Sequence, residues 1–258
     1  MGNLILSWIN HVRDPAAVLS ASVAAGNMPV QNLADPRVGK RWRSLDMNAW
    51  GQGTLPGDEE AGVFALRFPR DTPLAGGTVR HLLDASAELG GSGALHDSGA
   101  VPLGLAPGHG YHVYMPGEEV TFRNWRFQYG ASGVAALDTG LAWAGPVWSP
   151  RINYSYDPAD WWEDLSTGSE GARSGADWWD EGPRRRRVAF ALERLDAEEA
   201  EAMMDLSRLA GVSRQVLAIL DPENKPRKTI IGTLTESSPV RHPQFGVHTK
   251  VFEIKESL

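Results

Sequence analysis

The feature that most constrains this chain is an alternation of period two. Between Glu118 and Tyr129, the residues Val120, Phe122, Trp125 and Phe127 are interleaved with Thr121, Arg123, Asn124 and Arg126, and the pattern slips once, as a β-bulge makes it do. It returns where Val188, Phe190 and Leu192 alternate with Ala189, Ala191 and Glu193. Segments of this kind bury one face of a sheet, so the chain is predicted to be mainly β. Its 28 Gly, 17 Pro and 10 Trp suit many short strands and sharp turns better than a helical bundle. At 258 residues it can bury two cores without covalent staples, and with no Cys it has neither disulfides nor a thiolate metal site.

Further strands are expected at Val63 to Phe68, at Thr78 to Leu83 after the turn Pro73-Leu74-Ala75-Gly76-Gly77, and at Gly140 to Gly145. Residues 10–148 then read as one β-sandwich. From Ser149 to Pro183 no apolar period specifies a strand or helix, and the segment reads as a long Trp-, Asp- and Gly-rich connector. It carries a near-repeat: Ala159-Asp160-Trp161-Trp162-Glu163-Asp164 returns as Ala176-Asp177-Trp178-Trp179-Asp180-Glu181. Residues 184–258, which residues 1–9 could join, form a second β-domain with one α-helix. That helix, 196–210, has Asp196 as N-cap with Glu199 three residues on, an apolar stripe of Ala202, Met203, Leu206, Leu209 and Ala210, and Gly211 as its stop. Strands at Gln215 to Leu220, Thr229 to Thr235 and Val247 to Ile254 follow, with hairpin turns at Asp221 to Asn224 and around Pro239 to Gly246.

A formal net charge of -7 argues against binding to phosphate backbones. No apolar run reaches the roughly 20 residues of a membrane span, and Met1 to Asn10 lacks the basic leader and cleavage site of a signal peptide. Catalytic patterns are weak. His109 and His112 stand in a Gly- and Pro-rich loop with too few neighbours for zinc, and Ser92 in Gly91-Ser92-Gly93 lacks the context of a nucleophile elbow. Asp160, Glu163, Asp164, Asp177, Asp180 and Glu181 lie beside Trp, as glycosidase carboxylates do, but an irregular segment would not hold them at a working distance. No enzyme activity, cofactor or metal is expected. The run Arg184, Arg185, Arg186, Arg187 reads either as neutralising the acidic repeat or as meeting acidic groups of a neighbouring subunit.

Two stretches of the first domain carry a resemblance. Residues 28–44, Met28-Pro29-Val30-Gln31-Asn32-Leu33 through Trp42-Arg43-Ser44, and Asn124-Trp125-Arg126-Phe127 with Gly140 to Pro150, resemble the galactose-binding-like, discoidin-type sandwich of tail proteins from long-tailed bacteriophages and gene-transfer agents. The Phe190-Ala191-Leu192 strand, the helix after it and Phe252 to Glu256 are similar to the ring-forming hub domain of distal tail proteins. The resemblance implies a structural virion protein of the tail tip, assembled in the host cytoplasm. It implies a homo-oligomeric ring of six copies joining the tail tube protein to the tail-tip hub proteins. Assembly contacts are then expected at Trp161, Trp162, Trp178 and Trp179 and at Arg184 to Arg187. The alternative is a carbohydrate-binding module for host-surface glycans, with Arg37, Arg41, Arg43 and Trp50 as contacts and Trp42 more suited to the core.

Overall fold

The computed structural model describes every residue except 1, 47, 73–75, 85–94, 131–135, 156 and 171–176. Pro73, Leu74 and Ala75 of the expected turn, Ser92 and Ala176 therefore lie outside the described residues. The chain forms two compact units, residues 1–149 with 218–229, and residues 150–217 with 230–258.

The strands of the first unit are β1 (Ile5–Ser7), β2 (Val18–Ala21), β3 (Trp42–Ser44), β4 (Trp50–Ala61), β5 (Val63–Arg67), β6 (Thr78–Asp84), β7 (His96–Pro102), β8 (Tyr111–Tyr114), β9 (Val120–Gly130), β10 (Leu137–Thr139) and β11 (Leu141–Gly145). Apart from β1, they build a five-stranded sheet in the order β2-β4-β9-β6-β7, a three-stranded sheet β11-β5-β8 and the pair β3-β10. This is the expected mainly β, sandwich-type architecture. The alternation in β9 is what loads its core: Phe122, Trp125, Phe127 and Tyr129 are buried, while Thr121 and Arg123 point outward. Facing them are Phe64 and Leu66 of β5 and Ala142 and Ala144 of β11. Trp42 is fully buried, stacks on Tyr129 at 5.9 Å and donates its indole N–H to the Val23 carbonyl, as a core tryptophan must. Gly51 lies opposite Phe127, and a Cβ there would stand 2.5 Å from the ring edge, so only glycine lets the ring lie across β4.

The second unit holds β12 (Ala159–Asp164), β13 (Thr167–Glu170), β14 (Asp177–Asp180), β15 (Arg184–Leu195), the helix α1 (Ala197–Leu209), β17 (Thr229–Leu234), β18 (Arg241–Gln244) and β19 (Val247–Glu256); β16 (Gln215–Ile219) leads out of it. Its sheet runs β16-β17-β19-β15-β12, with β18 paired to β19. The helix starts where the capping box requires: Asp196 accepts from the Glu199 backbone N–H, and the Glu199 carboxylate accepts from Asp196 N–H. Ala200, Met203, Leu206 and Ala210 are buried, and Gly211 closes the helix at a φ of 50°.

Two local expectations are corrected. The segment from Asp221 to Asn224 is not a tight hairpin turn but a 3₁₀ turn, Pro222–Asn224, running into the short helix α2 (Lys225–Lys228). Asp221 caps it by accepting from Glu223 N–H, and Pro222 fits the first helical position. The segment 149–183 is not an irregular connector, because it contains β12, β13 and β14.

Candidate functional site

β12 escapes an apolar pattern because ion pairs, and not one buried face, hold it, and β13 and β14 do so because both are exposed on both faces. β12 pairs antiparallel with β15 in the register Trp161 to Arg187, Trp162 to Arg186, Glu163 to Arg185 and Asp164 to Arg184. Every arginine of the run is engaged within its own chain. Arg184 Nε donates to Asp164 at 3.1 Å, Arg186 makes a two-pronged contact with Asp160 at 2.7 and 2.6 Å, and Arg185 and Arg187 converge on Glu163. Arg187 also reaches Glu253 of β19 at 2.7 Å, tying the ladder to the sheet. Arg186 is 2% exposed, so its bidentate partner offsets a real desolvation cost.

Beyond the ladder the same two chain segments continue as a ribbon. Leu165 N–H bonds Pro183 O at 3.3 Å, Gly182 N–H bonds Ser166 Oγ at 3.0 Å, and β13 then pairs with β14. All described residues of β13 and β14 are exposed on both faces. Because neighbours along a strand point to opposite faces, each Trp-Trp pair places one indole on each side. Trp161 and Trp162 are 38% and 44% exposed, and Trp178 and Trp179 are 67% and 69% exposed. Trp179 lies across Gly168, where a Cβ would meet its ring at 2.8 Å, so the glycine makes room for the indole. The two copies of the near-repeat thus occupy the two arms of one ribbon.

Two of the acidic residues of this ribbon, Glu163 and Asp164, are poorly placed to serve as a glycosidase's general acid. A general acid needs a carboxyl whose pKa is raised. Glu163 is instead held low by hydrogen bonds from Arg185 and then Arg187, and Asp164 is held low by Ser166 first and Arg184 in addition. Both are stabilised as anions.

The residues named for a glycan site fall in three places. Arg37 closes on Asp35 together with Lys40, Arg41 and Arg43 meet on Asp138, and Trp50 lies under Arg126, whose guanidinium carbon is 4.3 Å from the ring centre. Arg126 in turn donates twice to Gln52 Oε1, at 3.0 and 2.8 Å. A separate cleft of about 570 Å³ at the sandwich is lined by Pro69, Arg70, Asp71, Thr72, Leu105 and Pro107.

His112 corrects the loop reading of the His109/His112 pair: it stands on β8, is 4% exposed, and faces His81 of β6 across the sandwich. Sequence reasoning missed this contact, since the two are 31 residues apart and neither has a motif. The hydrogen-bond order is fixed by its ends. Trp125 Nε1 donates to His81 Nδ1 (3.1 Å), so His81 Nε2 carries the hydrogen toward His112 Nε2 (3.0 Å), and His112 Nδ1 donates to Leu103 O (2.9 Å). Both rings are neutral. Burial holds the His81 pKa well below 6.5 and lowers that of His112 to about 4.

Among the described residues no three His, Asp or Glu side chains are placed to share a metal ion, and no helix is long and apolar enough to cross a membrane. No protein-family model matches the chain, and no curated protein matches it. Solved structures do. A GH29 fucosidase of Ruminococcus gnavus in complex with fucose matches at 11% identity and a TM-score of 0.45, over 55% of this chain and 27% of that one. The chain therefore spans about a quarter of the fucosidase. A family 32 carbohydrate-binding module from NanJ of C. perfringens, in complex with galactose, matches at 10% identity and 0.41, over 54% and 98%. A Streptococcus pneumoniae fucose-binding module matches at 13% and 0.42, over 53% and 94%. The sheets themselves make this chain a mainly β protein with a sandwich-type unit and a second unit that carries an aromatic ribbon.

Proposed function

We propose that this chain is a non-catalytic assembly subunit that docks on other protein through the tryptophan ribbon of its second unit. The observation that carries the reading is the exposure of Trp178 and Trp179, 67% and 69%, on opposite faces of a ribbon anchored by an Arg-carboxylate ladder. A buried indole removes about 150–250 Å² from water, and Trp is enriched among the residues that dominate interfaces. The ladder makes the ribbon stiff, which lowers the ordering cost of docking. In its specific form, the subunit belongs to a ring of six copies joining the tail tube to the tail-tip hub of a long-tailed phage or gene-transfer agent. That form rests on the sequence resemblance of residues 28–44, 124–127 and 140–150, and of the Phe190 to Leu192 strand, the helix after it and Phe252 to Glu256. Head-to-tail contacts of one arm on the next subunit are the geometry that closes rings.

Replacing Trp161, Trp162, Trp178 and Trp179 with Ala tests the reading. The expected product is a folded chain that melts near the parent temperature and no longer associates in sedimentation velocity or enters particles. Unimpaired association with a sharply lowered melting temperature would assign the four indoles to the subunit's own core and overturn the reading. Mass measurement of the assembly and electron microscopy of the particle test the ring.

A second reading, glycan recognition by the sandwich unit, is favoured by the cleft beside Asp71 and Thr72 and by the half-buried Trp50 ring under Arg126. A glycan array with the intact chain decides it: binding abolished by Asp71→Ala or Trp50→Ala and untouched by the four-Trp variant supports this role.

A further inference from the structure

The end of the ribbon is aromatic and acidic. In its register Gly168 faces Trp179 and Glu170 faces Asp177, while Ser169 faces Trp178 and Thr167 faces Asp180. Residues directly opposite share a face, so Trp179 lies on the same side as Glu170 and Asp177. Like charges set across from each other disfavour the pair unless a cation joins them. The arginines of 184–187 are engaged by Asp160, Glu163, Asp164 and Glu253. Glu170, Asp177, Asp180 and Glu181 make no ion pair among the described residues, and the sequence of 165–183 sets these four against a single basic residue, Arg173.

The β18–β19 hairpin has the reverse chemistry. Residues 239–251 hold Arg241, His242, His248 and Lys250 and no acidic residue. Gln244 pairs with Val247, which makes Phe245 and Gly246 the turn, and Gly246 takes a φ of 71° there. Arg241 to Gly246 are all exposed, Phe245 completely so, and Arg241 makes no ion pair among the described residues. Beside the turn a cleft of about 560 Å³ is lined in part by Ile152, Pro243, Gln244 and Val247 and leaves room for a ring. Its carboxylates Asp196 and Glu199 are already held by the helix cap and by Arg151.

β15 fixes where these two surfaces lie within the second unit. At one end Arg184 pairs with Asp164, where the ribbon leaves the sheet; at the other Leu195 pairs with His248, beside the turn. Its 12 residues set those ends roughly 35 Å apart. The exposure of Trp178, Trp179 and Phe245 shows that the two surfaces do not meet within one chain.

We propose that the Trp179 face of one copy's ribbon docks on the β18–β19 hairpin of the next copy, with Arg241 joining Glu170 and Asp177 and Phe245 packing against the indole. The proposal rests on the reading of the ribbon as a docking element and names the surface that receives it. A guanidinium suits this face because it forks onto carboxylates and stacks on an indole. Complementary surfaces at opposite ends of one sheet make a head-to-tail contact, which repeats from copy to copy and closes into a ring.

The test uses two full-length variants, Asp177→Arg/Trp179→Ala in the ribbon and Arg241→Glu/Phe245→Ala in the hairpin, all at exposed positions. Alone, each is expected to keep the parent's circular dichroism and to self-associate at least tenfold more weakly in sedimentation velocity. Mixed, the two are expected to form a one-to-one dimer and nothing larger, because the first keeps its hairpin and the second its ribbon. A hairpin variant that associates like the parent, a mixture that stays monomeric, or a parent monomeric at the highest concentration reached would each overturn this contact. Failure of the wider reading shows elsewhere, in a four-tryptophan variant that enters particles as the parent does.

Discussion

Acidification should loosen the sandwich unit, and the buried His81–His112 contact sets the size of the effect. Along Trp125, His81, His112 and Leu103 every donor already faces an acceptor. An added proton on His81 would point an N–H at the Trp125 N–H, and one on His112 would oppose the His81 N–H. Among the described residues, the charge interactions on the pair all disfavour the added proton. After burial, His112 and then His96 oppose a proton on His81, Lys225 opposes one on His112, and Tyr114 stacks on His81. In the unfolded chain each histidine binds its proton at about 6.5, whereas folded His112 does so at about 4. The unfolded state therefore takes up protons first as pH falls. The stabilisation is complete above about 6.5 and is lost downward from there. At ~1.4 kcal/mol per pH unit, His112 alone accounts for about 3 kcal/mol in full, of which about 2 kcal/mol disappears between pH 7 and pH 5. His81 acts in the same direction. The lowered carboxylates Asp35, Asp97 and Asp138 act in the same sense, but mostly nearer their unfolded value of 3.8. Denaturant unfolding at pH 7, 6 and 5 measures the loss, and the double variant His81→Phe/His112→Leu should be less stable at pH 7 but much flatter with pH. A parent curve that is flat over this range, or a slope that survives in the double variant, would refute the neutral-pair argument.

Asp160→Ala removes both carboxylate oxygens from the buried Arg186 guanidinium and should cost about 1–3 kcal/mol, read from the urea midpoint, with faster amide exchange in 159–164. Gly51→Ala brings a Cβ to 2.5 Å from Phe127 and should destabilise by roughly 1–3 kcal/mol, read from the melting temperature.

What could be read from the sequence was local or strongly periodic. The capping pair Asp196 and Glu199 are three residues apart, so their reciprocal hydrogen bonds follow from helix geometry alone. The alternations in β9 and β15 announced strands because one face of each is buried, and bulk hydrophobicity repeats with the strand's own period. β4 was not foreseen: Trp50 to Ala61 mixes Gly, Pro and acidic residues, and its strand state comes from pairing with β2 and β9 on either side. The ribbon failed for a related reason, since a strand exposed on both faces carries no apolar period.

The amino-acid sequence by itself thus determined a mainly β chain, one capped helix and the Trp-rich, arginine-following segment where a partner surface was expected, because propensity, capping and periodicity act over a few residues. Which groups meet was decided only by the tertiary structure. Arg43 finds Asp138 across 95 positions, His81 finds His112 across 31, and each arginine of 184–187 acquires its carboxylate through strand register. Such pairings depend on which strands become neighbours, and that is settled by burial of the whole core and not by any short stretch of sequence.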